Sequence, residues 1–123
     1  MNEEINSLTE TTWGLDVVLK ENAIIDNGNA IPIIKHIILN CKEFGKRIIL
    51  IEGSITSPKT SVIKILEIAQ TMQKEFAGGR IAFVTPNHAE NGDTKFMETA
   101  AMNRSVLIRY FTDRDTALEW LLK

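Results

Sequence analysis

The chain has 123 residues, 44% apolar and 24% charged, the balance of one soluble domain over 1–123 with a core of its own rather than a disordered or fibrous chain. Its 14 basic and 16 acidic residues leave a net charge near −2, without the broad basic footprint that nucleic acid or anionic lipid requires. A single cysteine, Cys41, excludes an internal disulfide, and two histidines form no dense metal-ligand pattern, so a reducing, cytoplasmic setting with no metal or cofactor is expected.

Met1 to Glu10 is polar and acidic, unlike the basic start and apolar centre of a signal peptide. Lys35 and His36 interrupt the longest apolar stretch, so no membrane span is expected. Leu8 to Leu19 alternates loosely around Trp13 and Gly14; glycine permits a positive backbone φ, which predicts a hairpin of two short strands. From Ile31, the residues Ile34, Ile37, Ile38, Cys41 and Phe44 recur at helical spacing. Asn29 is expected to cap this helix with its side chain, Pro32 to sit in the first turn, and Gly45 to end it.

"RIILIE", Arg47 to Glu52, is a continuous β-branched run of the kind buried on both faces of a parallel sheet. Val62, Ile65, Leu66, Ala69, Met72 and Phe76 then form one helical stripe, closed by Gly78 and Gly79. Arg80 to Thr85, "RIAFVT", predicts another buried strand stopping at Pro86. A helix from about Asp93 to Asn103 uses Phe96, Met97, Ala100 and Ala101, with Met97 and Met102 expected to fill gaps in the core. Val106 to Phe111 is the last strand. Asp113 caps a closing helix that buries Ala117, Leu118 and Leu121. This order predicts an α/β fold: a mixed, mainly parallel sheet of about five strands, begun by the hairpin, with about four helices.

Two stretches offer chemistry. In "TSPKTSV", residues 56 to 62, Ser57 is placed to cap the helix, Pro58 to take its first position, and Thr60 and Ser61 to be solvated first-turn residues. The same geometry suits a phosphoryl group or anion, which would meet exposed N–H donors, the positive end of the dipole and Lys59. "TPNHAENGD", Thr85 to Asp93, leaves the carboxyl end of a buried strand, where open α/β sheets collect ligands, and Thr85, Asn87 and His88 offer hydrogen bonds. His88 has no cysteine or clear serine nucleophile beside it in sequence, so no catalytic role is assigned. His36 reads as a surface histidine, Cys41 as a small buried thiol, and Trp13 and Trp120 as packing residues rather than a stacking platform. The common nucleotide, redox and hydrolase signatures are absent. A response-regulator reading fails because Glu52 and Gly53 stand where an acceptor aspartate is needed.

The C-terminal stretch "GGRIAFVTPNHAENGDTKFMETAA", followed by "VLIRYFTDRDTALEWLLK", resembles the STAS domain superfamily, in particular its SpoIIAA-like branch of small stand-alone proteins. Gly79, Arg80, Ala82, Val84, Pro86, Phe96, Glu98, Arg109, Phe111, Asp113, Ala117, Leu118, Trp120 and Leu121 carry the likeness. It spans residues 79–123, the remainder agreeing in order of elements only. The resemblance implies a non-enzymatic module that binds a protein partner, as antagonists of anti-sigma factors and regulatory parts of anion transporters do; some members bind nucleotides or lipid-like ligands. In the phosphorylated branch the switch is a serine in an Asp-Ser-Ser-Gly stretch, matched here by Lys59, Thr60, Ser61 and Val62. The hydroxyls are kept, whereas Lys59 replaces the acid and Val62 the glycine. A second expectation, of a different class, is a small-molecule carrier or sensor whose ligand sits among Gly53 to Ser57 and Thr85 to Gly92.

Overall fold

The alternating periods of the sequence become alternating elements in space. The computed structural model describes residues 4–21, 28–53, 62–85 and 92–123. Its elements are β1 (Ile5–Glu10), β2 (Leu15–Leu19), α1 (Ala30–Glu43), β3 (Ile48–Glu52), α2 (Val62–Phe76), β4 (Arg80–Val84), α3 (Gly92–Met102), β5 (Leu107–Phe111) and α4 (Arg114–Leu121). The protein is α/β, with one five-stranded sheet in the order β1-β2-β3-β4-β5; β1 pairs antiparallel with β2 and every other pairing is parallel.

Sequential parallel strands joined by right-handed crossovers send every connecting helix to the same side. One core accordingly joins α1, α2 and α3 to the sheet through Ile33, Ile37, Ile65, Met72, Ala100 and the inward residues of the strands. α4 follows the last strand and is under no crossover constraint. It lies on the opposite face, where Ala117 and Leu121 pack against Leu50, Ala82 and Val84. This two-sided cover explains the unbroken apolar runs: Ile49 and Ile51 point to the three helices while Leu50, between them, points to α4. β2 instead alternates between buried and half-buried residues, since only its three-helix face is fully covered.

Local chemistry sets the ends. Gly45, at φ 71°, lets the chain leave α1; its N–H donates to the Lys42 carbonyl at 2.9 Å and that of Lys46 to the Cys41 carbonyl at 3.1 Å. At the other end Asn29 holds the cap position, but its side chain makes no capping bond. Its backbone, at φ −120° and ψ −7°, departs from the extended conformation that aims a cap side chain at the first turn. Asp113 does cap α4: at φ −140° and ψ 154° it accepts from the Thr116 N–H at 2.9 Å.

Gly14 corrects the expected reason for a glycine in the hairpin. Positive φ among glycines occurs at Gly45 and Gly78, not here. A Cβ on Gly14 would lie 2.0 Å from the Ile48 carbonyl oxygen, so the residue is small because β3 passes against it. Met97 is buried as expected, whereas Met102, at the end of α3, is 57% exposed and fills no core gap.

Candidate functional site

Parallel strands bring their carboxyl ends to one edge, and there the chain gathers its polar side chains. β3 ends at Glu52 and is followed by Gly53, β4 ends at Val84 and is followed by Thr85, and β5 ends at Phe111, with Asp113 and Arg114 just beyond. The ladder continues past the strand ends: the Gly53 N–H donates to the Val84 carbonyl at 3.0 Å and the Thr85 N–H to the Phe111 carbonyl at 2.8 Å. Backbone groups at this edge are therefore held in place.

On the α4 side Arg114 forms an ionic group with two carboxylates. Its Nη2 donates to Asp16 Oδ2 at 2.7 Å, and its Nη1 donates to Glu52 Oε1 at 2.7 Å and Asp16 Oδ1 at 3.3 Å. Hydrogen bonds to Asp16, then to Glu52, push the guanidinium further up from its ordinary range, against a smaller opposing effect of burial. The group is partly shielded, with side-chain exposures of 35% for Arg114, 21% for Asp16 and 32% for Glu52. Chemically it is a paired fork, which holds α4 against β2 and β3.

Thr85 lies on the other side of the same edge. Strand alternation places it with Ile81 and Phe83, toward the three helices, and Phe83 stacks on Tyr110 with ring centroids 4.9 Å apart. Thr85 is only 4% exposed, and its hydroxyl has no hydrogen-bond partner among the described residues. An unsatisfied buried hydroxyl costs about 1–3 kcal/mol.

Of the sequence-predicted site residues, the structure places Thr85. Ser57, Lys59, Thr60 and Ser61, and likewise Asn87 and His88, lie outside the described residues. Sequence reasoning missed Asp16, Glu52 and Arg114. One signal was available: an arginine in the first turn of a helix opposes the macrodipole and so calls for acidic partners. Nothing local says which acids they are.

The remaining candidates resolve as structural residues. Cys41 is fully buried, its Sγ 3.8 Å from the Ile48 carbonyl oxygen, and burial pushes the thiol above its ordinary range, the opposite of activation. His36 is half-buried on α1. Trp13 and Trp120 pack against the α4 core, and the Arg80 guanidinium sits 5.6 Å from the Trp120 ring. Among the described residues no group of three or more His, Cys, Asp or Glu side chains is placed to hold a metal ion. No helix among them is long and apolar enough to cross a membrane.

No family model, curated protein or solved structure matches the chain. The fold thus rests on its own topology.

Proposed function

We propose that this chain is a cytoplasmic, non-enzymatic regulatory module of the STAS-like, SpoIIAA-like kind, acting by binding a protein partner around the start of α2. The observation that carries the reading is Ile63. At 71% exposure it is the most exposed of the large apolar side chains described, and it stands two positions after the hydroxyl-rich stretch Ser57 to Ser61. An apolar side chain that a partner covers contributes by the surface it removes from water. The polar stretch beside it supplies a place for control: a phosphoryl group on Thr60 or Ser61 would add about two negative charges at the partner's footprint and interact favourably with the helix N-terminus. The paired state of Arg114, Asp16 and Glu52 fits a module without turnover.

The test begins with the protein gently purified from its own cells, its native mass compared with its denatured mass. A phosphoryl increment mapped to Thr60 or Ser61 supports the switch. The co-purifying partner is then measured against purified variants: Ile63→Asp is expected to weaken binding about tenfold or more, and Ser61→Asp to reset it. Unchanged affinity in both variants overturns the reading.

A second reading is favoured by Thr85. Its buried hydroxyl lacks a partner in the described chain, as a group that meets a ligand would. The chain is then a carrier or sensor of a nucleotide, an anion or a lipid-like molecule at the strand carboxyl ends. A ligand that binds only the folded state raises the melting temperature. A thermal-shift series with nucleotides, inorganic anions and fatty acids that stays flat rejects this second reading.

A further inference from the structure

Among the described residues β5 is an edge strand, paired on one side only with β4. The Leu107 N–H donates to the Gly79 carbonyl at 3.1 Å, and the Phe111 carbonyl accepts from Thr85 at 2.8 Å, so the odd-numbered residues of β5 face β4. Alternation then turns the N–H and C=O groups of Ile108 and Tyr110 outward. The Tyr110 N–H is taken by a side chain: it donates to Glu98 Oε2, reaching across from α3, at 3.2 Å.

We propose that Glu98 is a latch that closes the β5 edge against strand addition by a second copy of this chain. The two edges of the sheet are managed differently. β1 carries a register shift between Ile5 and Ser7, an irregularity of the kind that interrupts a pairing edge, and exposes polar residues such as Asn6, Thr9 and Glu10. β5 pairs with β4 in an unbroken register, and its sequence "LIRYF" combines β-branched and aromatic residues with a single charge, Arg109. A strand of that composition in unbroken register is the kind that adds to another edge. A second copy is the natural occupant, because antiparallel pairing of two identical edges about a twofold axis is self-complementary and closes. Glu98 opposes it by occupying an outward donor and by placing a carboxylate where the incoming backbone carbonyl would lie.

Glu98→Ala removes the acceptor, while Glu98→Gln keeps a carbonyl at the same reach. Amide hydrogen exchange and sedimentation velocity, each over a range of protein concentrations, read the outcome. At low concentration the Tyr110 amide of Glu98→Ala is expected to exchange about tenfold or more faster than in the unchanged chain. As concentration rises, Glu98→Ala is expected to sediment as a dimer, with protection returning at Ile108 and Tyr110. Glu98→Gln is expected to stay near the unchanged chain in both measurements. Glu98→Asp, one methylene short of the N–H, keeps the charge on α3 and repeats the test should the alanine variant fail to fold. The proposal is overturned if the opened variants sediment like the unchanged chain at every concentration, or if new protection falls on β1 instead.

Discussion

Arg114 and Asp16 stand 98 positions apart and are joined by two hydrogen bonds, the shorter 2.7 Å. The pair ties the last helix to the N-terminal hairpin, and Glu52 draws β3 into the same fork. Truncation by Arg114→Ala leaves two partly shielded carboxylates facing each other without a cation. The expected loss is about 1–2 kcal/mol, since the group is neither fully exposed nor deeply buried. Thermal unfolding should show a fall of about 3–8 °C. Arg114→Lys should recover only part of it, because an ammonium lacks the planar fork that reaches both acids.

Gly14→Ala should be among the most damaging small substitutions in the chain. The added carbon would meet the backbone oxygen of Ile48, 2.0 Å away, and no side-chain rotation relieves a clash with a central strand. A loss above about 3 kcal/mol is expected. Denaturant unfolding checks it, and a midpoint within error of the unchanged protein would contradict the close approach.

Thr85→Val tests the buried hydroxyl. Replacing it with a methyl removes a polar atom that has no partner among the described residues while keeping the β-branched shape, so stability should hold or rise by up to about 1 kcal/mol. A clear fall in melting temperature would mean that the hydroxyl has a partner in solution. Repeating the thermal-shift series on this variant then shows whether that partner is a ligand.

Tyr110 predicts an alkaline limit to stability. Burial, then the nearby Glu98 charge, pushes its phenol well above the usual value of 10.0. The folded chain therefore keeps a proton that the unfolded chain releases once pH passes about 10. Stability from this source is complete below that value and declines as pH rises toward the folded pKa. Tyr110 is the sole tyrosine, so tyrosinate absorbance follows this group alone. It should appear together with loss of structure rather than before it, and Tyr110→Phe should flatten the alkaline slope of stability.

Much of the architecture was legible in the order of periods. The stripe from Val62 to Phe76 and the run from Ile48 to Glu52 are local patterns, and a helix or strand that must bury one or both faces displays that need along its own sequence. Parallel pairing followed from the alternation of strands with helices, and the end of α1 and the start of α4 from Gly45 and Asp113. The cap expected of Asn29 failed because cap geometry depends on the backbone before the helix as well as on the residue type.

Most of the site was not legible, for a different reason. The sequence marked Glu52 as the end of a strand and Arg114 as the start of a helix, and it singled out Thr85 as polar. Which acids receive Arg114, which carbonyl excludes a Cβ at Gly14, and that Glu98 reaches the backbone of Tyr110 are matters of distance between residues far apart in the chain. Periodicity reports which face of an element is buried, so the elements, their order and their inner faces follow from the chain's local pattern. The side of the sheet taken by α4 and the polar pairings across elements were decided by packing, because charge and hydrogen bonding act over a few ångströms of space rather than along the chain.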